Sequence, residues 1–215
     1  MDPASETYLE ERRDRLLRSL SRVVSDPRIL DAFRSVPRHL FVPAGLEAHA
    51  WEDRALPLAE GQTISQPTMI AMMLDALEPQ RGERALEIGS GCGYAAALLS
   101  HLVGAVHGVE IRPTLAAMAK ESLARAGVAN VFIHVADGSR GLPEHSPYDC
   151  ILVSAGAVRV PPALVDQLAP GGRIAIPVGN GGEQVLRIGV RPRGGGEVEW
   201  TSGVNCIFVP LLGTD

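Results

Sequence analysis

Three glycines at alternate positions, Gly89, Gly91 and Gly93, separate an apolar strand pattern from a helical one. A backbone without Cβ atoms can turn sharply between a strand and a helix, and a polar ligand group can approach its N–H groups closely. The spacing is GxGxG, because position 94 is Tyr, and it departs from the GxGxxG pattern of dinucleotide-binding proteins. Such a turn can also be purely structural, so other residues must decide between the two interpretations.

Acidic residues at the ends of the next two predicted strands complete a candidate cofactor crevice. Glu110 ends one of them, where a carboxylate can accept two hydrogen bonds from ribose hydroxyls. Asp137, followed by Gly138, comes just after the other, where a carboxylate can accept a hydrogen bond from the exocyclic amine of adenine. Each alone is typical of a solvated strand end. Because the carboxyl ends of parallel strands meet at one edge of a sheet, their order predicts one crevice of the open α/β type.

These motifs must be positioned by strands that alternate with helices, a rhythm typical of βαβ units and a parallel sheet. The late strands lie closer together, with glycine-rich connections, which favours an antiparallel edge. The predicted fold is therefore α/β, with a Rossmann-like doubly wound, mostly parallel sheet that has an antiparallel edge, plus N-terminal helices. The predicted strands are 85–88, 105–111, 131–135, 148–154, 172–177, 184–190 and 206–211. The predicted helices are 5–24, 28–35, 66–77, 94–102, 113–126 and 161–168.

Two other stretches are predicted to lack regular structure. The segment 37–63 is rich in proline, glycine and mixed polar residues, and RPRGGGE at 191–197 is interpreted as a surface hairpin loop. Just before the second helix, Asp26 and Pro27 have the pattern of an N-cap followed by a proline at the helix start.

The composition excludes several classes of protein. The chain has 215 residues, 46% of them hydrophobic and 21% charged, as in one ordinary globular domain. Its formal charge of −5 argues against a nucleic-acid binder, and no apolar run approaches the roughly 20 residues of a membrane span. The charged N-terminus has no apolar signal segment, and the three cysteines form no CxxC pair or disulfide framework. We therefore expect a cytoplasmic protein that binds neither nucleic acid nor membranes.

The sequence predicts no metal site, because its histidines show no metal-ligand spacing with the cysteines. His101 lies in an apolar helical pattern and is interpreted as a packed or helix-end residue. Cys92, inside the glycine turn, is interpreted as a passive small residue. The histidines are His39, His49, His101, His107, His134 and His145.

Taken together, the motifs resemble those of a known enzyme family. The runs LEIGSGCGY, VEI and ADG are similar to the S-adenosylmethionine loop, ribose acid and adenine contact of class I methyltransferases. Longer runs resemble protein-L-isoaspartate O-methyltransferases, in that family's order and over about residues 12–213. These runs are PRHLFVP at 37–43, GQTISQPTMIA at 61–71, DGSRGLPEHSPYD at 137–149, GGRIAIPVG at 171–179 and FVPLLG at 208–213.

The resemblance implies a cofactor, a domain organisation and a set of site residues. S-adenosyl-L-methionine would bind to a single methyltransferase domain, 1–215, with a substrate-side segment at 1–80 and an α/β cofactor-binding core at 81–215. Ser65, in the ISQP run, would be the catalytic residue. The implied cofactor contacts are Glu87, Gly89, Ser90, Gly91, Gly93, Glu110, Ile111, Asp137 and Gly138. The implied substrate contacts are Ile64, Ser65, Gln66, Pro67, Thr68 and Val204.

The implied activity is methyl esterification of the free α-carboxylate of L-isoaspartyl residues in damaged peptides and proteins, which initiates repair through a succinimide. This carboxylate is ionised at pH 7 and needs positioning rather than a general base. The hydroxyl of Ser65 can orient one carboxylate oxygen and leave the other to attack. From the residues alone, Ser65 can instead be a turn or helix-capping hydroxyl, and Asp53 can be a loop cap or a groove residue. We expect a monomer whose partners are isoaspartyl peptides.

Two other functions stay open. One is a methyltransferase retargeted to an ordinary Asp of a dedicated peptide, and the other is a non-catalytic module that binds S-adenosylmethionine. A dinucleotide oxidoreductase fits the GxGxG spacing less well. Departures from the family's pattern lie at Thr68, at 154–158 and beside Cys206, where an arginine is usual, and they leave the cofactor motifs intact. The segment 204–209 could contact an extended peptide through its backbone or form a plain edge strand.

Overall fold

The computed structural model describes residues 6–180 and 182–213. The α-helices in this part of the chain are α1 (Glu6–Leu20), α2 (Pro27–Ser35), α3 (Pro67–Leu77), α4 (Tyr94–Ser100), α5 (Pro113–Arg125) and α6 (Pro162–Asp166). The strands are β1 (Leu56–Pro57), β2 (Thr63–Ile64), β3 (Arg84–Ile88), β4 (Ala105–Glu110), β5 (Val131–Val135), β6 (Tyr148–Val153), β7 (Leu168–Asn180), β8 (Glu183–Val190) and β9 (Glu199–Cys206). Short 3-10 helices cover Arg38–Leu40, Glu47–His49, Ala59–Gly61, Gly138–Arg140 and Pro143–His145.

Seven of these strands form one sheet in the order β5-β4-β3-β6-β7-β8-β9. β3 pairs in parallel with both β4 and β6, and parallel pairing extends to β5 on one side and to β7 on the other. β8 and β9 are added antiparallel. The predicted doubly wound, mostly parallel sheet with an antiparallel edge is confirmed. The strand order reverses between β3 and β6, which is where open α/β sheets bind ligands.

The two faces of the sheet bury separate apolar clusters, because successive strand side chains point to opposite sides. Ala85 and Val106 belong to the cluster that contains residues of α1 to α5. Leu86, which follows Ala85, and Val109, three residues after Val106, point to the opposite face and belong to the other cluster. The N-terminal helices therefore share a core with the sheet, which places the segment before β3 firmly against the carboxyl-terminal half of the chain.

The turn between α1 and α2 is anchored by two aspartates. Asp26 Oδ1 accepts a hydrogen bond from the backbone N–H of Arg28 at 2.9 Å, which confirms the predicted N-cap of α2. Asp75 in α3 accepts from the backbone N–H groups of Ser25 and Asp26 at 2.9 and 3.0 Å. The helix predicted over 5–24 ends at Leu20, and residue 5 lies outside the described residues.

The last predicted strand, 206–211, is wrong, and the edge strand is β9 instead. Most side chains of β9 are exposed, so its sequence lacks the apolar alternation that marks a half-buried strand. The apolar run after β9 crosses the carboxyl end of the sheet. There Gly156 N donates to Val209 O, and Leu211 N donates to Gly156 O, each at 2.8 Å. Pro210 has no N–H with which to continue a ladder.

The segment 37–63, predicted to be irregular, contains an antiparallel pairing of β1 with β2 and several 3-10 turns. The loop 191–197 lies between β8 and β9, as predicted. Among the helices of the described residues, none has the length and apolarity that a membrane span requires.

Candidate active site

The glycine turn between β3 and α4 follows the sequence prediction. Gly89, Gly91 and Gly93 have φ values of 76°, 54° and 84°, a region that favours glycine because a Cβ atom is strained there. The N–H of Gly89 donates to Val109 O at 2.8 Å, which ties the turn to β4. α4 begins directly after Gly93. The three glycines therefore fix the path of the backbone at the carboxyl end of β3.

Glu110 closes the turn from the side of β4. Its Oε2 accepts from the N–H of Gly91 and its Oε1 from the N–H of Arg112, each at 2.9 Å, and the side chain is buried. Because each carboxylate oxygen has two acceptor positions, both oxygens can still accept from a ligand hydroxyl. Arg112 also forms an ion pair with Glu60 at 2.8 Å, which joins this edge to the N-terminal segment.

Asp137 and Gly138 follow β5 and begin a short 3-10 helix. Asp137 Oδ1 accepts from the N–H of Ser139 at 2.9 Å and from its hydroxyl at 2.7 Å. Gly138 is buried so tightly that a Cβ atom built on it would lie 2.6 Å from Cγ2 of Ile88. A side chain at position 138 would therefore collide with the end of β3. Asp137 thus caps the turn, in addition to its predicted contact with adenine.

These segments enclose a cavity at the carboxyl edge of the sheet. The predicted cofactor residues that line it are Gly89, Gly91, Glu110, Ile111 and Gly138. The N-terminal segment contributes Gln62 and Thr63, and the segment after β9 contributes residues 209–212. The residues 209–212 line the cavity because they cross the end of the sheet rather than extend it. Asp137 lies beside this cavity, in an adjoining depression that also includes Ile111.

Glu87 is a buried carboxyl group beneath the glycine turn. Burial, reinforced by the nearby charge of Glu110, raises the pKa of Glu87 to about 8, so it is largely protonated at pH 7. The hydroxyl of Ser154 donates to its Oε1 at 3.1 Å. Its Oε2 has no hydrogen-bond partner among the described residues, although it is buried. Since buried polar atoms are normally paired, this oxygen carries the proton of the neutral form and becomes an open acceptor for a donor group of a bound cofactor only when the carboxyl is ionised.

Ser65 lies between β2 and α3, and its hydroxyl makes no hydrogen bond to another described residue. The N-cap of α3 is Gln66, whose side chain forms no capping bond, so Ser65 does not cap this helix. That role belongs to Asp53, whose carboxylate accepts from the N–H and the hydroxyl of Thr68 at 2.9 and 2.7 Å. Asp53 is therefore the cap that the sequence left undecided, and the Ser65 hydroxyl stays available.

A fully buried arginine holds the backbone at Ser65. Arg38 donates from Nη2 to Ser65 O at 2.9 Å and from Nε to Ala50 O at 2.7 Å. Its guanidinium lies over the ring of Tyr94, 4.6 Å from the centroid, and no carboxylate pairs with it within the described residues. Because Tyr94 is the first residue of α4, Arg38 links the Ser65 turn to the glycine turn. No local pattern in the sequence indicates this role, and only the PRHLFVP run, which includes Arg38, marks the position.

A groove beside the crevice includes Ser65 in its lining. It is lined by Thr63, Ser65, Gln66, Met69 and Ser154, together with residues 205–209. Thr63, Ser154 and Val209 also line the cofactor cavity, so the two spaces adjoin there. Ser154 directly follows β6, and its position at a strand end is the signal that could have identified it. Gln184 holds the far wall by bonding the N–H and the carbonyl of Phe208 at 2.8 and 3.1 Å.

The other predicted substrate residues lie at the margins of this groove or outside it. Ile64 and Pro67 are buried. The Thr68 hydroxyl is bound to Asp53. Val204 lies on the exposed edge strand β9.

A crevice for a nucleoside-containing cofactor that opens onto a groove for a second reactant is the arrangement of class I S-adenosylmethionine-dependent methyltransferases. Comparison with known proteins narrows this class. A family model described as Protein-L-isoaspartate(D-aspartate) O-methyltransferase matches residues 11–215, and the chain belongs to that family.

Individual relatives agree with this family. The chain is 48% identical over 207 residues to the protein-L-isoaspartate O-methyltransferase of Roseiflexus castenholzii, covering 96% of this chain and 94% of that protein. A solved protein-L-isoaspartate O-methyltransferase superposes with a TM-score of 0.84 at 31% identity, over 94% of this chain and 66% of that one. A Plasmodium falciparum crystal structure in complex with S-adenosyl-L-homocysteine gives a TM-score of 0.77 at 25% identity, over 92% and 96% of the two chains.

Proposed function

We propose that this protein transfers a methyl group from S-adenosyl-L-methionine to the free α-carboxylate of L-isoaspartyl residues in peptides and proteins. The resulting ester initiates repair, because it closes to a succinimide that reopens in part to normal aspartate. One observation carries the assignment of the site. The unbonded hydroxyl of Ser65 lies in a groove that adjoins the cofactor crevice at Ser154.

In this proposal the glycine turn and the strand ends hold the cofactor. Glu110 accepts from the ribose hydroxyls, and Asp137 accepts from the adenine amine, as do carboxylates at these positions in open α/β sheets. Glu87 is ionised when the cofactor is bound, because the positive amino group of the methionine part favours the carboxylate, and its Oε2, which has no partner among the described residues, accepts from that group. Ser90, Ile111 and the glycines complete the contacts. When bound, S-adenosyl-L-methionine supplies an activated methyl group on a positively charged sulfur.

On the substrate side, the hydroxyl of Ser65 donates to one oxygen of the isoaspartyl α-carboxylate and orients the other toward the cofactor crevice. No base has to remove a proton, because the carboxylate is already ionised at pH 7. Positioning at near-attack distance is then the main contribution of the protein. Opposite charges on the two reactants disappear during transfer, so exclusion of water favours the reaction.

We further propose that residues 1–80 form the substrate side of a single methyltransferase domain whose cofactor-binding core is 81–215. The contact of Arg38 with the ring of Tyr94 and the ion pair of Arg112 with Glu60 join the two parts and support one unit. Ile64, Gln66, Pro67 and Thr68 then shape the groove around Ser65, and Val204 extends it along β9. A monomeric state, a cytoplasmic location and the absence of nucleic-acid partners stay predictions.

The test is methyl transfer from labelled S-adenosyl-L-methionine to a matched pair of peptides that differ only in L-isoaspartate or L-aspartate at one position. We expect labelling of the isoaspartyl peptide alone. Labelling of the aspartyl peptide would instead indicate an enzyme retargeted to ordinary Asp. Cofactor binding without labelling of either peptide would indicate a non-catalytic binding module.

A further inference from the structure

Three of the six histidines come together on one face of the sheet, although they are far apart in the sequence. His107 lies on β4, His134 on β5 and His145 at the end of the 3-10 helix Pro143–His145. One nitrogen from each ring lies within 4.8 Å of the other two. Spacing along the chain predicts no metal site here. The strand register creates the cluster.

The register explains why two of these rings meet. His107 is opposite Phe132, and His134 is opposite Val109, so His107 and His134 are diagonal neighbours on the same face. Their facing nitrogens, Nδ1 of His107 and Nε2 of His134, are 3.2 Å apart. Two imidazoles that each bind a tetrahedral Zn²⁺ at about 2.1 Å have nitrogens roughly 3.4 Å apart. This pair therefore already has the separation that a shared ion requires.

The third ring reaches the same point from the connection between β5 and β6. His145 stacks on His107 with ring centroids 4.1 Å apart and planes at 19°. A stacked ring does not direct its lone pair at a shared ion, so His145 must rotate about its side-chain bonds to become a ligand. It can do so because it is only half-buried at the surface, where side chains change rotamer readily.

The surroundings favour neutral rings. Burial, and then the neighbouring histidines, lower the pKa of His107 to about 4, and burial also lowers the pKa of His134 below its ordinary value. Neutral imidazole is the form that binds metals. The charges nearby are mixed. Glu144 acts on His134 as a negative charge, whereas Lys120 opposes a cation there and Arg84 opposes one at His107.

From this geometry we infer that His107, His134 and His145 form a binding site for a divalent late-transition ion such as Zn²⁺, with water or Glu144 in the fourth position. Three imidazoles and an open position suit Zn²⁺, Ni²⁺ and Cu²⁺ rather than Mg²⁺ or Ca²⁺, which prefer oxygen ligands. The ion joins β4, the edge strand β5 and the segment before β6. His107 precedes Glu110 by three residues on β4, which is about 10 Å along the strand. The metal site is therefore separate from the proposed methyl-transfer site.

The experiment uses the untagged full-length chain. Isothermal titration with ZnCl2 measures stoichiometry and affinity, and thermal unfolding with and without Zn²⁺ measures stabilisation. The test variants are His134→Asn and His145→Asn, which remove an imidazole ligand and leave a smaller, uncharged polar side chain. His101→Asn is the matched control, because His101 follows α4 and is exposed, away from the cluster.

We expect one Zn²⁺ per chain and a rise in Tm of about 5 °C or more at 100-fold excess over Kd. Each test variant should weaken binding at least about tenfold, with the Tm response largely lost, whereas His101→Asn should behave like the parent protein. MgCl2 should not compete. Binding that is unsaturable, is unaffected by His134→Asn and His145→Asn, or is weakened equally by His101→Asn would overturn the inference. Without added metal, the two test variants should transfer methyl groups as fast as the parent protein. This measurement distinguishes a failure of the metal site from a failure of the proposed function.

Discussion

The cofactor crevice and the substrate groove adjoin, yet they are built in different ways. The crevice is made at the ends of adjacent parallel strands, by the turn from Gly89 to Gly93 after β3 and by the carboxylate of Glu110 at the end of β4, which bonds to that turn. The groove is held by contacts between distant segments, from Arg38 to Ser65 and from Gln184 to Phe208. In the proposed function, backbone geometry at the strand ends thus sets most of the cofactor contacts, while contacts between distant segments set where the substrate is held. Substitutions should separate the two functions accordingly.

The largest effect should come from Ser65→Ala, which removes the proposed hydrogen bond to the substrate carboxylate without changing the crevice. Loss of one positioned donor in an active site costs about 10²–10³ in kcat. The dissociation constant of S-adenosyl-L-methionine should stay within about twofold of the parent value. Steady-state kinetics with an isoaspartyl peptide and a titration of the cofactor would measure the two quantities. Equal losses in both would contradict the separation of groove from crevice.

Glu87→Gln should make the free energy of unfolding less sensitive to pH, because it removes the buried carboxyl group beneath the crevice. The pKa of Glu87 is raised from 4.5 to about 8, so the folded protein binds a proton that the unfolded chain releases above pH 4.5. Its contribution to stability is therefore lost as pH rises from 4.5 toward 8. Between pH 5 and pH 7 the variant should gain about 2–3 kcal/mol relative to the parent protein.

Thermal unfolding of both proteins at pH 5 and pH 7, without cofactor, would measure this gain. Glu83→Gln is a suitable comparison, because Arg173 holds the pKa of Glu83 below its ordinary value of 4.5, so its contribution to stability is present throughout this range and the effect of the change should differ little between pH 5 and pH 7. A Tm difference between Glu87→Gln and the parent that is the same at both pH values would show that Glu87 is not protonated in the folded protein.

Glu110→Gln should weaken cofactor binding in the crevice and leave the substrate groove unchanged. The amide keeps the shape of the side chain, but its NH2 group cannot accept from the N–H of Gly91 or Arg112, as a carboxylate oxygen does. Hydrogen bonds to a charged group are worth about 1.5–3 kcal/mol, so cofactor affinity should fall by roughly tenfold or more. At saturating cofactor, kcat should change by less than about threefold. An unchanged cofactor affinity would remove Glu110 from the proposed site.

Arg38→Met should have the smallest effect on activity, and this effect should be a lower kcat caused by a change in the groove. Methionine fills much of the buried space, but it cannot donate to the carbonyls of Ser65 and Ala50. We expect kcat to fall about five- to tenfold through displacement of Ser65, since small misplacements reduce rates steeply. Cofactor affinity should be unchanged.

Arg38→Lys separates positioning from charge at this site. Lysine keeps the positive charge but lacks the planar fork that reaches two carbonyls at once. If Arg38 acts by geometry, the lysine variant should lose turnover as well. Full activity in both variants would mean that Ser65 is positioned by its own turn.

The same contrast explains where prediction from sequence succeeded. The order of strands and helices was read correctly from β3 to β8, because buried parallel strands and glycine turns leave strong local patterns. The prediction of a strand at 206–211 was wrong, because this apolar run crosses the end of the sheet, where Val209 and Leu211 bond to Gly156. β9 was missed because an exposed edge strand carries little apolar alternation.

By itself, the sequence determined the α/β fold, the glycine turn, and the positions of Glu110 and Asp137 at strand ends, since these depend on backbone preferences of neighbouring residues. Its resemblance to a family marked Ser65. Only the tertiary structure decided that Asp53 caps α3, that Arg38 holds Ser65, and that His107, His134 and His145 meet. Those contacts join residues from separate segments, and their geometry depends on strand register and packing, which no local pattern records.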